Sequence, residues 1–335
     1  MKTAVVILNF NGEKLFGKFL PSVLQHSGNA EIIVIDNHST DHSAEVLQRD
    51  YPTVRLINLE KNFGFCGGYN EGLKQVDADF FVLLNSDVEV TSGWLAEPLR
   101  LLEAGAGAVQ PRIKSYLHRD QFDYAGAGGG YLDSLCYPYC RGRIFNSIEI
   151  DSDQYNDTIE VAWASGACLF IRKEVFFESG GFESSFFAHM EEIDLCWRIR
   201  RSGKKIFYCG SSIIYHLGGG TLAATSPKKT YLNFRNNLSL MFRNLSTVRL
   251  LVVFPIRCWL DGLAAIKFLL EGNRAAMLAV CRAHWSFFGS IMTELRGRRS
   301  LAHLPYILPA QGKIRFTLWD YYFLGKKNYP TSEKK

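Results

Sequence analysis

The sequence predicts an α/β protein, a layered α/β/α domain followed by a helical extension. Three observations carry this. Short apolar runs rich in Val, Ile and Leu alternate with helix-period segments through the first ninety residues, a pattern that builds a sheet covered by helices on both faces. Polar residues stand where those runs end. The formal charge of +5 is also unevenly spread, at −8 over 1–227, +9 over 228–304 and +4 over 305–335, so two parts with different partners are expected.

The elements follow in order. "TAVVILNF", "EIIVIDN", "TVRLINL" and "DFFVLLN" read as four strands of a parallel sheet. Between the first two, "GEKLFGKFLPSVLQHS" places Leu15, Phe19 and Val23 at helical spacing. Ser39, Thr40 and Asp41 offer caps for a helix over "HSAEVLQRDY". "GGYNEGLKQV" suits a helix before the fourth strand. The stretch 111–160 reads as loops around a cleft or a surface hairpin. Beyond it, "EVAWASGACLFIRKEVFFESGGF" predicts a strand then a helix, and "MEEIDLCWRIRRSGKKIFYC" a helix then a strand. In open α/β sheets, ligands bind beyond the carboxyl ends of the strands. Asn9, Asp36 and Asp87 stand at three such ends. Any one alone could cap the next helix; three together point to a site.

Composition sets bounds. An apolar fraction of 47% over 335 residues supports a full core. The eight cysteines have no metal-type spacing and read as reduced thiols of a cytosolic protein. "MKTAVVILNF" reads as a first strand rather than a signal peptide, and no run is long enough for a spanning helix. No repeat and no nucleic-acid motif is present.

Seven segments recur in a fixed order: "VVILNFNG" (5–12), "IIVIDNHSTD" (32–41), "NFGFCGGYNEG" (62–72), "LLNSDVEV" (83–90), "WASGACLFIRKEVF" (163–176), "FFAHMEEIDLCWRIRRSG" (186–203) and "IIYHLGGGT" (213–221). Together they resemble the family 2 inverting glycosyltransferases, with the strongest likeness to the rhamnosyltransferase-like branch that builds bacterial cell-surface polysaccharide. The resemblance implies the glycosyltransferase A-type fold, a nucleotide diphosphate sugar donor and a divalent metal, Mg²⁺ or Mn²⁺.

It also implies roles. Asp87 is the carboxylate that holds the metal against the diphosphate; Asn85 fills the first position of the family's Asp-x-Asp. His216 resembles the histidine that reaches back to the metal. Asp36 accepts from the pyrimidine imide, which uracil and thymine share, so UDP and dTDP are not separated. Asn9 lies near the base, and Asn62, Gly67 and Asn70 shape the wall around ribose and sugar. Ser165, Gly166 and Ala167 resemble the acceptor-side segment. The general base falls in the Glu191-Glu192 pair: Glu192 stands where the family has Asp, and Glu191 is the fallback. Asp194, on the acceptor side, is expected to pair with Arg198 at i,i+4.

From Tyr231 the chain mixes Leu, Phe and Trp with Arg235, Arg243, Arg249, Arg257, Lys267, Arg274 and Arg282. Pro255 and Gly272 are expected to break it into two or three helices. A catalytic domain over 1–227 and a basic extension over 228–335 are expected. The extension suits interfacial helices on an anionic membrane, the inner leaflet of the cytoplasmic membrane. A helical cap or a homo-oligomer interface is the other reading. The acceptor class is a glycan or lipid-linked hydroxyl. Rival functions are a sugar-1-phosphate nucleotidyltransferase, for which the turn after the first strand lacks a basic residue, and a non-catalytic nucleotide-sugar binder.

Overall fold

The computed structural model describes residues 1–218 and 226–330. The chain opens with β1 (Thr3–Asn9), α1 (Glu13–His26), β2 (Glu31–Asp36), α2 (Ser43–Asp50), β3 (Arg55–Asn58), α3 (Gly64–Leu73) and β4 (Phe80–Asn85). Each predicted strand forms. The near-continuous burial of β1, β2 and β4 matches strands covered on both faces, while β3 lies at the sheet edge and is partly exposed. Next come β5 (Val88–Val90), α4 (Ala96–Glu103) and β6 (Ala108–Ser115). Within the stretch read as loops around a cleft or a surface hairpin, β7 (Gly130–Leu132), β8 (Pro138–Cys140), β9 (Arg143–Ile144) and β10 (Ser147–Ile148) pair antiparallel into a small second sheet. Then follow β11 (Thr158–Val161), β12 (Cys168–Arg172), α5 (Lys173–Glu178), α6 (Glu191–Arg201) and β13 (Ile206–His216).

The main sheet has the order β11-β13-β6-β12-β4-β1-β2-β3, with β5 added on β13. It is mixed rather than wholly parallel. β12 runs antiparallel between β4 and β6, and β11 and β5 run antiparallel to β13. The first four strands are parallel, as their helical connections require. Helix α3 is rich in glycine, a poor helix former, and its position explains why. A Cβ on Gly68 would lie 2.7 Å from Leu8 Cδ1, and one on Gly72 would lie 2.3 Å from Ile35 Cδ1. The helix rests on β1 and β2 at a closeness that only glycine permits. At α2 the N-cap is His42 rather than Ser39, Thr40 or Asp41; Asp41, just before it, accepts from Ser43 N through Oδ1 at 3.1 Å, and Ser39 turns inward.

Among the described residues the extension has four α-helices, α7 (Pro227–Asn244), α8 (Thr247–Leu270), α9 (Arg274–Gly289) and α10 (Ile291–Ser300), and a π-helical turn at Trp319–Phe323. Gly272, at φ +76°, follows the end of α8 as expected. Pro255 does not break α8. Its ring lies on the exposed face, and the carbonyl deprived of a partner belongs to Leu251, itself 71% exposed and open to water. The break before α8 falls at Leu245 and Ser246, where the Ser246 hydroxyl accepts from Arg249 N.

Helix α7 is bound into the α/β domain by a buried polar face. Asn236, Asn237, Ser239, Arg243 and Asn244 are all buried. Arg243 pairs with Glu183 at 2.5 Å and Glu294 at 2.6 Å. Arg257 stacks on Tyr137 and donates to Leu135 O at 2.7 Å. Arg249 donates to Ser134 O. The arginines that suggested a basic outer face thus turn inward at these positions. Among the described residues, no helix is long and apolar enough to cross a membrane. All eight cysteines are free thiols.

Candidate active site

Strand register assembles the first part of the site. β1 and β2 pair with Asn9 beside Asp36, and β1 and β4 pair with Leu8 beside Asn85. Three polar side chains therefore meet at the carboxyl edge of neighbouring strands. Asp36 is held by three donors: Asn9 Nδ2 at 2.9 Å, Ser39 N at 2.9 Å and Ser39 Oγ at 2.5 Å. Asn9 is fully buried, and its Oδ1 has no partner. That oxygen crowds Gly12, where a Cβ would lie 2.2 Å away. Asn37, which the sequence reading passed over, stitches the wall. It donates to Asn62 Oδ1 and Gly64 O, both at 3.0 Å, and accepts from Phe63 N at 2.9 Å. Asn62 also accepts from Gly64 N at 2.8 Å. Gly67 lies inside α3, where a Cβ would be 2.8 Å from Phe63 Cβ, so its smallness shapes this same wall. Asn70 is spent elsewhere: its amide brackets Phe182, donating to the carbonyl at 2.8 Å and accepting from the N–H at 2.9 Å.

The β4–β5 turn supplies the second part. β5 pairs with β13 so that Val88 faces His216, which sets Asp87 next to the imidazole. His216 Nε2 lies 3.3 Å from Asp87 Oδ1, and Nδ1 lies 2.9 Å from Asp123 Oδ1. Asn85 Nδ2 is 3.4 Å from the same Nε2. Burial works against a charged imidazole, but hydrogen bonds to the two carboxylates raise His216 to about 10. Burial likewise works against the Asp87 carboxylate, yet His216 and backbone N–H donors hold it below the ordinary range. Asp123 was not found from sequence, because it sits 93 positions away in the loop after β6.

The third part is the 165–167 turn together with the start of α6. Ser165 Oγ donates to Ala125 O and accepts from Ala167 N, and Ala167 O accepts from Asn85 N. The 165–167 turn is thereby fastened to the end of β4. A Cβ on Gly166 would stand 3.9 Å from Glu191 Oε1, so this turn passes close to the glutamate pair. Glu191 and Glu192 open α6, and each has Oε2 buried without a partner. Burial raises both. Glu192 is pushed up to about 7, and Glu191 well above its ordinary value because the Glu192 charge adds to burial. Asp194 is engaged fully. It accepts from Arg198 at 2.8 Å, the expected i,i+4 pair, and from Asn244 Nδ2 of α7 at 2.8 Å.

The loop before α6 is strained. Phe187, His189 and Met190 all have φ between 64° and 71°, a region costly for side chains of this size. Asn236 of α7 holds it, directing Nδ2 at the carbonyls of Phe186, Ala188 and His189 over 2.7–3.0 Å. The Gly-Gly-Thr at 219–221 lies outside the described residues.

A divalent metal fits this donor set only as a shared site. Among the described residues no cluster of three His, Cys, Asp or Glu could hold one. Asp87 and His216 come together at one point with the Asn85 amide beside them. Two protein donors completed by substrate phosphates and water suit Mg²⁺ or Mn²⁺. A hollow of about 550 Å³ at Met1, Lys2 and Asp77 lies at the strands' amino ends, away from this edge.

The profile of glycosyl transferase family 2 matches residues 4–177, which run from β1 through the Asp87 turn and the 165–167 segment into α5. The chain belongs to glycosyl transferase family 2. This glycosyltransferase is 26% identical to the low-salt glycan biosynthesis hexosyltransferase Agl10 of Haloferax volcanii, over 70% of this chain and 73% of that protein. It is 26% identical to the N-acetylglucosaminyl-diphospho-decaprenol L-rhamnosyltransferase of Mycobacterium tuberculosis, over 63% and 75%. It is 24% identical to the rhamnosyltransferase WbbL of Escherichia coli, over 74% and 94%. Hexosyl- and rhamnosyltransferases thus both appear among its relatives, and neither branch is favoured. Among solved structures, S. aureus TarS 1-349 in complex with UDP-GlcNAc superposes with a TM-score of 0.55 at 15% identity, covering 100% of this chain and 98% of that one. GalNAc-T7 with UDP, GalNAc and Mn²⁺ superposes with a TM-score of 0.59 at 15% identity, over 93% of this chain, which spans 59% of that enzyme. These likenesses establish the glycosyltransferase A-type α/β/α domain with a helical extension.

Proposed function

We propose that the enzyme transfers a hexose, with inversion, from a UDP- or dTDP-sugar to a hydroxyl of a lipid-linked or growing cell-surface glycan. The observation that carries this reading is the meeting of two unlike carboxylate environments on one edge. Asp87 is held ionised against His216, while Glu191 and Glu192 are raised by burial with oxygens unpartnered. Carboxyls pushed apart in this way divide the work of binding charge and moving protons.

In this reading Asp36 and Asn9 receive the pyrimidine, with the unpartnered Asn9 Oδ1 as an acceptor at the site floor. Asp87 and the neutral form of His216, its proton given up when the metal binds, would hold Mg²⁺ or Mn²⁺, which supplies countercharge to the diphosphate. Asp123 fixes the ring of His216 from behind. Glu192 accepts the proton of the acceptor hydroxyl. That oxygen bonds to the anomeric carbon as the bond to the diphosphate breaks, and the electron pair leaves on the nucleoside diphosphate. Glu191 is the alternative base. Rhamnose is the donor sugar suggested by the names of two relatives, and one of those names, a diphospho-decaprenol rhamnosyltransferase, suggests the lipid-linked acceptor. Residues 1–227 act as the catalytic unit, and the extension seats it on the inner face of the cytoplasmic membrane.

The test is a panel of nucleotide sugars incubated with the full chain, reading released UDP or dTDP. Metal-dependent release from at least one sugar is expected, abolished in Asp87→Ala with an unchanged melting curve. Full release by that variant, or unchanged release in excess chelator, sinks the metal-and-diphosphate assignment.

A further inference from the structure

The glycosyltransfer reading leaves a second cleft unused, and its chemistry is specific. It holds about 750 Å³ between α7, α9 and Phe187, with Lys228, Tyr231, Arg235, Leu278 and Arg282 among its walls and no carboxylate. Several cations on these helices are matched by carboxylates: Arg243 to Glu183 and Glu294, Arg257 to Asp261, Lys267 to Glu271. Among the described residues, Lys228, Arg235 and Arg282 form no ion pair. Three cations without a carboxylate partner are therefore gathered at this cleft. Arg235 also has Nε buried without a partner, while its Nη2 donates to Phe186 O at 3.3 Å. Pro227 and Lys228 begin the 18-residue helix α7, so the positive end of its dipole faces the same space.

Two further features say what kind of anion fits. First, the cleft borders the reaction site. Phe187, whose ring lies under Lys228 Nζ at 4.8 Å, is four residues before Glu191 and packs against Gly64 at the head of α3. Second, the cleft runs out onto apolar surface. Leu278, Arg282 and Trp285 share one face of α9 at helical spacing, with Leu278 55% and Trp285 84% exposed. A free anion would use the cations and leave those side chains in water.

Resting on the glycosyltransfer reading, we propose that this cleft binds the phosphate or diphosphate of a lipid-linked acceptor, with the lipid chain laid along the Leu278–Trp285 face of α9. The acceptor's sugar hydroxyl is then delivered past Phe187 toward the glutamate pair.

Farnesyl diphosphate, titrated calorimetrically into the full chain without donor or metal, tests this. Binding is expected, weakened about tenfold or more in the exposed double variant Lys228→Glu/Arg282→Glu, whose melting curve should match the wild type. Inorganic diphosphate and soluble short-chain phosphatidylglycerol are expected to bind at least about tenfold more weakly. Farnesyl diphosphate binding untouched by the double variant overturns the proposal. So does binding lost in Asp87→Ala but kept in the double variant, which puts the anion in the donor site. Equal affinity for inorganic diphosphate overturns the lipid-linked assignment, and equal affinity for phosphatidylglycerol replaces it with a general membrane headgroup. The wild-type nucleotide-sugar assay separates the two readings. Release of nucleoside diphosphate without farnesyl diphosphate binding sinks the cleft alone; the converse sinks glycosyltransfer and leaves the cleft standing.

Discussion

Glu192 and Glu191 place two carboxyls at the start of one helix, where the helix N-terminus favours charge and burial opposes it. Burial wins, and the consequence is a defined pH dependence. A base works in its ionised form, so turnover should fall as pH drops through about 7. In Glu192→Gln that limb should vanish and the rate should drop by about 10² to 10⁴, while nucleotide binding by fluorescence or calorimetry stays near wild type. Retained turnover in Glu192→Gln with loss in Glu191→Gln moves the base one residue back. The same shifts bear on stability. Both carboxyls sit above their ordinary 4.5 in the fold, so their contribution is fully present below that value and is lost as pH rises through the folded values, about 7 for Glu192. Glu192→Gln should therefore raise the melting temperature at pH 8 more than at pH 4; an equal change at both denies a raised value in the folded state. At this scale the sequence was legible where one strand end names one residue, as with Asn9, Asp36, Asn85 and Asp87. Asp123 was not, since only the fold brings it to His216, and neither was the hold of Asn70 on the Phe182 backbone, which lies 112 positions away.

Elements explain which changes away from the chemistry will be felt. The pre-α6 loop keeps three non-glycine residues in a left-handed conformation, and Asn236 on α7 bridges three of its carbonyls. Asn236→Ala leaves those buried carbonyls short of a donor, at a cost of about 1–3 kcal/mol. It should also lower kcat, since a displacement of roughly 1 Å can cost about a hundredfold. Stability lost with kcat intact would restrict Asn236 to holding the helix. Gly72→Ala tests the α3 contact in another way. The new methyl meets Ile35 Cδ1 at 2.3 Å, and the overpacking should cost roughly 1–3 kcal/mol by denaturant midpoint; a midpoint unchanged or raised shows that Ile35 can give way. Strand positions were readable because buried strands are nearly all apolar. The antiparallel insertion of β12 was not, since a buried strand carries the same composition in either direction. The inward turn of Arg243 and Arg257 was also hidden, because their partners Glu183, Glu294 and Leu135 come from distant segments.

At the scale of the molecule, the charge asymmetry suggests an electrostatic membrane surface, whereas the exposed side chains of the extension offer an apolar one. Several of the arginines counted toward an anionic membrane are consumed in buried pairs, whereas apolar side chains face outward. Along α8, Val248, Val252, Trp259, Leu263, Ile266 and Leu270 recur at steps of three, four or seven residues and are 43–82% exposed. A continuous apolar stripe over a 24-residue helix is larger than a soluble surface ordinarily leaves bare. Fully burying a Val, Leu or Ile side chain contributes about 1.5–3 kcal/mol, so even partial burial of six adds up to useful binding. A membrane surface is the partner consistent with the lipid-linked acceptor proposed for the neighbouring cleft. Attachment driven by apolar burial should resist salt, unlike a purely electrostatic contact, which weakens as the ions screen it. The full chain should therefore float with liposomes, with a modest preference for anionic lipid, and most of the bound fraction should survive high salt. Val252→Ser/Trp259→Ser/Leu263→Ser should abolish flotation without lowering the melting temperature. Concentration-dependent dimers in sedimentation, lost in the same triple variant while liposome binding is absent, would give the α8 stripe to a second copy of the chain instead.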